Sequence, residues 1–492
     1  MSTCTLSSSL SLALSSASWS SASAASRSSF WYRRMAAARW ALPETSFTDT
    51  VADAADSSAA ATAEAVQTSR AAERENLISP RSPIVPPPGP PAMAIGPWLL
   101  EPQPGKMTVA WTTLEPSVGR VWYGTPEPDR LATEEGPPVT DHRVVLASLQ
   151  PSTQYRYRVE GGYETAWFTS APAAGAEGPV HVLVYGNNRS NDGDHALLAR
   201  AAAAERPQLA LHTGDMVANA REESLWRVWF QEEHDLLAHA PIVATLGNHE
   251  ITDAGAAYAR FFQRREFPAY ASLDYGPVHV VVLNAFEMQA GGTPHWGGIS
   301  DAQKAWFDED LRRIPPDRHV WVLVHQGPFA HPAESRPEHG GSDEVRAVIA
   351  GAQKVHRIQA VFAGHEGFYE RGEVDGLRYF VVGGGGAPME EPDARSPGVQ
   401  KTATALSYAS LEVCGCHTRG TVKDIAGKVI DAFTLSDCAT PCSVPLSPQV
   451  AVSAATSGQD ADDSSGSRRR SHKRRRRGPL DDSASAAENR SR

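Results

Sequence analysis

The sequence predicts an α/β protein whose main domain is layered, with helices outside its sheets, preceded by a small all-β sandwich. Short runs of alternating apolar and polar residues lie between turn signals from 93 to 172. After residue 180, apolar strands alternate with amphipathic stretches instead. The length of 492 residues exceeds one ordinary core, so we expect two or three domains.

Composition excludes several classes of protein. Charged residues make up 21% of the chain, and no apolar run approaches the roughly 18 to 20 residues of a membrane-spanning helix. We therefore expect no transmembrane anchor. The formal net charge of -11 argues against nucleic acid as the main partner of the folded part.

Both ends of the chain differ from the middle in composition. Residues 1–92 are predicted to be a disordered or targeting segment that ends in a proline-rich linker. The first 43 residues contain no Asp or Glu, which leaves a secretory signal, an organellar transit peptide and a wrongly assigned start open. Residues 446–492 include the run RRRSHKRRRR and are predicted to form a disordered basic tail.

The predicted all-β domain covers residues 93–172. Its period-2 runs include MTVAWTT, RVWYG, LQPSTQYRYRV and WFTSAP, in that order. This order resembles the fibronectin type III-like domain that precedes the catalytic domain of purple acid phosphatases. The resemblance implies a spacer that shapes one wall of a cleft.

The larger predicted domain covers residues 178–400 and contains apolar strands separated by helical stretches. Helices are expected near 194–205, 222–238 and 301–313. The strands are expected at 180–186, 208–214, 241–247, 278–284, 319–325, 358–364 and 377–384. In such folds, ligands bind beyond the carboxyl ends of the strands.

Five of these strands end in small polar clusters. The clusters read GNNR at 186–189, GD at 214–215, GNHE at 247–250, HQGP at 325–328 and GHE at 364–366. Because the strand ends meet at one edge of a sheet, their Asp, Asn and His side chains are expected to converge. Carboxylate, amide oxygen and imidazole together suit Zn, Mn or Fe rather than a structural thiolate site.

These motifs are similar, in kind and order, to those of the calcineurin-like metallophosphoesterases, and of the purple acid phosphatases within them. The string Gly-Asn-His-Glu is the most specific part of a resemblance that runs from Met93 to about Leu435. It implies two metal ions bridged by an Asp and a hydroxide, and hydrolysis of phosphate esters by the metal-bound hydroxide.

Carried over position by position, the resemblance assigns a complete ligand set to one ion. Asp215 would be the bridging ligand, and Asn248, His325 and His365 would complete the site. His249 would contact the phosphate or the leaving group. The cofactor expected is a transition metal, Fe, Zn or Mn, with one ion held tightly and a second held weakly or not at all.

The second ion lacks ligands that the family provides. Asn187 replaces the first carboxylate and keeps only a neutral oxygen, and Gly367 replaces the second His of Gly-His-x-His. Arg189 stands where many members have a His, and it is expected either to bind phosphate or to pair with a carboxylate. We expect the double change Asn187→Asp with Gly367→His to restore the second ion. Nearby stand-ins for the missing ligands are Asp192, Asp194, His195 and Glu366.

His339 follows His325 much as a substrate-facing His does in relatives, and it is the third candidate catalytic residue, beside His249 and Arg189. Loop histidines of this kind, including His295 and His331, are otherwise simply exposed.

After the main domain, residues 401–445 are predicted to add three antiparallel strands that complete the sheet. Four cysteines cluster there, namely Cys414, Cys416, Cys438 and Cys442. They are expected to form two disulfides, with a zinc site as the alternative. Disulfides favour an extracellular or periplasmic location over an organellar or cytoplasmic one.

Two functions remain open at this stage. The chain is either a metal-dependent phosphoesterase with a small phosphorylated substrate, or an inactive relative that binds a phosphorylated ligand or has a structural role. Asn187 and Gly367 are the residues on which this choice depends, because they remove ligands of one ion.

Overall fold

The computed structural model describes residues 92–162, 164–263, 269–289, 291–315, 318–336 and 338–436. These residues belong to one compact unit, Pro86–Arg492. The predicted targeting segment, the proline-rich linker and the basic tail lie outside the described residues, as do Cys438 and Cys442. The predicted pairing of the four cysteines therefore stays a prediction.

The first part of the chain is all-β, as predicted. A three-stranded antiparallel sheet has the order β1-β2-β5, and a four-stranded one has the order β4-β3-β6-β7. In β6 every second residue is buried, so this strand turns one face to the core. The strands are β1 Met93–Gln103, β2 Lys106–Ser117, β3 Arg120–Gly124, β4 Arg130–Thr133, β5 Val139–Ala147, β6 Gln154–Val159 and β7 Ala166–Thr169. The fibronectin type III assignment stays a prediction, as do the domain boundaries.

This small sandwich shares a packed core with the rest of the chain. The Tyr157 hydroxyl donates to the backbone carbonyl of Ala238 at 2.8 Å, and the Trp98 indole donates to that of Phe261 at 3.2 Å. Arg260 forms an ion pair with Asp141 at 2.8 Å. Buried hydrogen bonds of this kind fix the orientation of the sandwich against the main domain.

The main domain consists of two sheets. One has the order β10-β9-β8-β18-β19-β20 and the other β11-β12-β13-β14-β16-β15-β17. The strands of the first sheet are β8 Val180–Tyr185, β9 Leu209–His212, β10 Ile242–Ala244, β18 Ser407–Cys414, β19 His417–Asp424 and β20 Val429–Ser436. Those of the second are β11 Ala271–Tyr275, β12 Val278–Leu283, β13 His319–Val324, β14 Ile358–Ala363, β15 Tyr369–Val374, β16 Leu377–Val382 and β17 Val399–Ala403.

The two sheets enclose an apolar core, to which Val184 and Leu211 of one sheet and Leu323 and Phe362 of the other belong. Strands β12, β13 and β14 are buried along their whole length, because both of their faces are covered. These are the strands whose continuous apolar runs made them recognisable in the sequence.

Helices cover the outer faces. Ser300 caps α5 and Ser342 caps α6, each accepting a backbone N–H with its hydroxyl. The helices are α1 Asp192–Ala204, α2 Glu223–Glu232, α3 His234–Leu237, α4 Ala256–Phe262, α5 Asp301–Arg313 and α6 Asp343–Gln353. The single helical stretch expected at 222–238 is divided at Glu233, a fully buried carboxylate that pairs with His195 at 2.7 Å.

Within the described ranges, none of the helices has both the length and the apolar character needed to cross a membrane.

Candidate metal centre at the strand ends

Five loops meet where β8, β9, β10, β13 and β14 end. Close packing there requires glycine at two positions. A β-carbon on Gly247 would lie 2.2 Å from Oδ1 of Asp215, and one on Gly214, whose φ is +92°, would lie 2.6 Å from Nδ1 of His325. The Gly residues before the polar clusters therefore let the side chains of neighbouring loops approach each other.

Asp215 lies at the centre of this region and is fully buried. Its Oδ1 is 3.3 Å from Nε2 of His325 and accepts the backbone N–H of His249 at 3.1 Å. Its Oδ2 accepts from Nε of Arg189 at 3.0 Å. Burial works to raise the pKa of this carboxyl group, but the charges of His325, His249 and Arg189 outweigh it and hold the pKa well below the usual range.

Three further donors converge beside Oδ1 of Asp215. Oδ1 of Asn248 lies 3.1 Å from Nε2 of His325 and 3.0 Å from Nδ1 of His365. Donor atoms bound to one zinc ion at about 2.0 to 2.1 Å lie roughly 3.0 to 3.4 Å apart. The three separations among these side chains, 3.0, 3.1 and 3.3 Å, fall in that range.

The hydrogen bonds of the two imidazoles agree with this arrangement. Nδ1 of His325 lies 2.5 Å from the carbonyl of Thr213, and Nε2 of His365 lies 2.8 Å from that of Glu338. A carbonyl only accepts, so each ring holds a proton there, and its other nitrogen, which faces Asn248, is the one that would bind an ion after losing any proton it carries. Burial, together with nearby His325, lowers the pKa of His365 to about 3, which keeps this imidazole neutral.

The other side of Asp215 is built differently. Asn187 is fully buried, and its Oδ1 accepts the backbone N–H of His365 at 3.1 Å. Its Nδ2 has no hydrogen-bond partner among the described residues. The side chain of Arg189 is 19% exposed, and its guanidinium donates a hydrogen bond to Oδ2 of Asp215. This half holds two nitrogen groups that cannot bind a cation.

Gly367 also lies in a crowded place. A β-carbon there would come within 2.3 Å of the carbonyl oxygen of Pro388. Histidine at this position would require the segment after β16 to move, and restoration of a second ion by the double change stays a prediction.

Most of the residues proposed to replace the missing ligands of the second ion have other partners. Asp192 and Asp194 lie in the first turn of α1, where Asp194 interacts with Asn191. His195 is buried between Glu232 and Glu233 at 2.6 and 2.7 Å. Glu366 is different: it lies beside His339, with 3.0 Å between Oε2 and Nδ1.

Two of the candidate catalytic histidines lie near the centre. Nδ1 of His249 is 2.7 Å from the carbonyl of Ala218, which places Nε2 at 3.9 Å from Oδ2 of Asp215. The ring of His339 stacks on that of His365, with 5.2 Å between ring centroids. By contrast, His331 pairs with buried Glu370 at 2.6 Å, and His295 pairs with Glu344 at 3.3 Å.

Sequence reasoning missed the support that Glu250 gives to the site. This fully buried carboxylate accepts backbone N–H groups from Asp215 and Gly247, each at 2.9 Å, and from Met216 at 2.9 Å. Burial and the charge of Asp215 raise its pKa to about 7. Its place at the end of the Gly-Asn-His-Glu string was the available signal.

Comparison with known proteins shows which families this chain is similar to. Residues 180–369 match the family model of the calcineurin-like phosphoesterases. The chain is 25% identical over 277 residues to purple acid phosphatase 1 of Ipomoea batatas, covering 51% of this chain and 56% of that protein. It is also 25% identical to Fe(3+)-Zn(2+) purple acid phosphatase 12 of Arabidopsis thaliana, covering 51% of this chain and 57% of the relative. The chain thus spans little more than half the length of these relatives.

Among solved structures, a purple acid phosphatase from yellow lupin (Lupinus luteus) seeds has the same fold. The TM-score is 0.59 at 16% identity, over 70% of this chain and 74% of that one. The family match, the purple acid phosphatase relatives and the shared fold agree: residues 180–369 are similar to the calcineurin-like phosphoesterases, and the chain is similar to the purple acid phosphatases.

Proposed function

We propose that this protein is a metal-dependent phosphoesterase, similar to the acid phosphatases, that hydrolyses small phosphate esters with one tightly bound transition-metal ion. The observation that carries the proposal is the convergence of four donor atoms, two of them imidazole nitrogens that face inward. The relatives, purple acid phosphatases among them, support the reaction class and a transition metal.

Asp215, Asn248, His325 and His365 would hold the ion. An ion in this position polarises a phosphoryl oxygen and lowers the pKa of a coordinated water. The chain's own contribution is to keep these donors fixed: the Thr213 and Glu338 carbonyls orient the two rings. Glu250 fixes the loops from which Asp215 and Asn248 project.

Arg189 and His249 would bind the phosphate on the other side of Asp215. Both face Oδ2 of this carboxylate, at 3.0 and 3.9 Å. In this proposal the guanidinium supplies positive charge where the two-metal relatives place a second ion. A fixed guanidinium can donate two parallel hydrogen bonds to phosphate oxygens and stabilise charge that develops on them.

His339 would face the leaving group. Its Nδ1 pairs with Glu366 at 3.0 Å, which fixes the ring and leaves Nε2 facing the ester oxygen in this proposal. The side chain of His339 is 22% exposed, compared with none for His325, so this imidazole is accessible to a ligand.

The proposal is tested by measuring metal content and hydrolysis of an aryl phosphate ester on the same dialysed sample. We expect close to one tightly held ion per chain, with turnover that depends on it. Asn248→Ala should lose that ion and lower kcat/KM by roughly a hundredfold to a thousandfold. Gln353→Ala, an amide on the outside of α6, is the matched control and should change neither. Turnover that persists after complete removal of the ion would contradict the proposal.

A second candidate is an inactive relative that binds a phosphorylated ligand. It is favoured by Asn187, whose replacement of a carboxylate weakens one half of the site, and by Arg189, which suits phosphate binding. In this case phosphate would bind in a metal-dependent way but no ester would be hydrolysed, so the same assay with a phosphate-binding measurement separates the two functions.

An extracellular or periplasmic location belongs to the same proposal. The four clustered cysteines support it, because disulfides persist in oxidising compartments. Localisation of a tagged full-length chain would test it directly.

A further inference from the structure

A second group of metal-ligating side chains lies next to the centre described above. Ligand atoms of His339, His365 and Glu366 all lie within 4.8 Å of one another. Glu390, from the loop after β16, reaches the same place. We propose that His339, Glu366 and Glu390 form a second, weaker site for a divalent transition metal such as Zn²⁺. It is separate from the half of the centre that holds Asn187 and Arg189.

The distances fit an ion. Nδ1 of His339 is 3.0 Å from Oε2 of Glu366 and 4.0 Å from Oε2 of Glu390. Donors on a tetrahedral zinc ion at about 2.0 to 2.2 Å lie roughly 3.3 to 3.6 Å apart, and the two separations lie on either side of this range. One imidazole and two carboxylates, completed by solvent, are a ligand set that zinc accepts.

The two carboxylates are only partly satisfied by other groups. The side chain of Glu366 is fully buried, and its Oε1 accepts the backbone N–H of Gly340 at 2.6 Å. Oε2 of Glu390 is buried and has no hydrogen-bond partner in the part of the chain that the structure describes, although Oε1 pairs with Arg336. Oε2 of Glu366 and Oε2 of Glu390 both face Nδ1 of His339. Two carboxylates that face one point repel each other unless a proton or a cation lies between them.

The second site is physically joined to the first. The rings of His339 and His365 stack at an angle of 25°. The backbone carbonyl of Glu338, the residue before His339, fixes the ring of His365. An ion held by His339 would therefore restrain the segment that orients a ligand of the first ion. This inference concerns metal binding alone, so it stands whether or not the chain hydrolyses esters.

The test is calorimetric titration of the dialysed full-length chain with Zn²⁺, together with anomalous diffraction at the zinc edge. We expect a second, weaker equivalent and an anomalous peak between His339, Glu366 and Glu390. Glu390→Gln and Glu366→Gln should each lower the affinity for this second Zn²⁺ ion by at least about tenfold. Glu391→Gln, an exposed carboxylate beside Glu390, is the matched control and should leave it unchanged.

The inference is overturned if only one equivalent binds, if both glutamine variants leave the weaker equivalent intact, or if the second peak lies elsewhere. A proton shared by Glu366 and Glu390 would give the first of these results. Because the anomalous peak is measured on the unaltered chain, the test does not depend on the variants folding. Asn248→Ala should remove the tight equivalent and leave the weak one. Failure of the proposed function is thereby distinguished from failure of this site.

Discussion

The two oxygens of Asp215 face two halves of one centre that are built for opposite partners. Beside Oδ1, Asn248, His325 and His365 present donor atoms, which suit a cation. Beside Oδ2, Arg189 presents N–H groups, which suit an anion. A bridging carboxylate therefore does not require two ions, because a guanidinium can balance its second oxygen.

The largest effect should come from removing the guanidinium. If Arg189 binds phosphate in place of a second ion, Arg189→Ala should lower kcat/KM for an aryl phosphate by about a hundredfold to a thousandfold, while the tight ion stays bound. Steady-state kinetics and metal analysis on the same preparation measure both quantities. Arg189→Lys should recover part of the loss, since it restores charge but not the planar fork.

Arg200→Ala is the control for this change, because Arg200 lies on the exposed face of α1. If Arg189→Ala lost the ion as well, the guanidinium would be holding Asp215 rather than the substrate. Unchanged kinetics in the alanine variant would remove Arg189 from the mechanism.

The convergence of the Oδ1 half followed from the sequence, because its donors come directly after strands. Strands β8, β9, β10, β13 and β14 were recognisable from their apolar runs. They lie in two sheets rather than the single sheet expected, and the carboxyl ends of both sets meet at one end of the domain. What the sequence did not show was the proton position on each ring, which depends on the carbonyls of Thr213 and Glu338.

Several strands and the second group of metal-ligating side chains could not be predicted, because they depend on contacts between distant segments. Strands β11, β15 and β17 were missed, and β15 shows why. Its polar residue Arg371 pairs with buried Asp431, 60 positions away, at 2.7 Å. In the same way, His339, Glu366 and Glu390 come from three loops, and no spacing rule brings them together.

A buried charged group near the Oδ2 half, His195, gives a prediction for pH. His212 is hydrogen-bonded to Asn188, the residue before Arg189, and His195 lies between two glutamates. Burial alone lowers the pKa of His195, but hydrogen bonds with Glu232 and Glu233 raise it to about 9 from 6.5. The charged imidazole therefore stabilises the fold below about pH 6.5, and this stabilisation disappears as the pH rises through about 9.

The contribution of charged His195 to the free energy of unfolding is on the order of 3 kcal/mol, since each unit of pKa shift corresponds to about 1.4 kcal/mol. Urea unfolding of the metal-free chain should show that the gap in unfolding free energy between wild type and His195→Gln narrows over this pH range. His279, whose pKa is likewise raised to about 9, remains in both proteins and cancels in the comparison. A gap that does not change with pH would mean that His195 is neutral in the folded chain.

The smallest expected effect tests whether the Oδ2 half can be turned back into a metal site. A β-carbon on Gly367 would lie 2.3 Å from the carbonyl oxygen of Pro388, and the Gly367 carbonyl accepts the backbone N–H of Glu390 at 3.1 Å. Gly367→Ala should therefore destabilise the fold by roughly 1 to 3 kcal/mol, the usual cost of overpacking. Gly351→Ala is the control, because a β-carbon there meets nothing within 4 Å and alanine favours its helix.

The double variant Asn187→Asp with Gly367→His carries the larger side chain, so it should lose more unfolding free energy than Gly367→Ala. We expect it to bind no additional ion, because the backbone around Pro388 would have to move before an imidazole could reach Asp215. Urea unfolding and metal analysis of the three variants measure this. A well-folded double variant with an additional ion and a gain in turnover would show instead that the loop around Pro388 moves at little cost. The Oδ1 and Oδ2 halves would then differ only in their ligand residues.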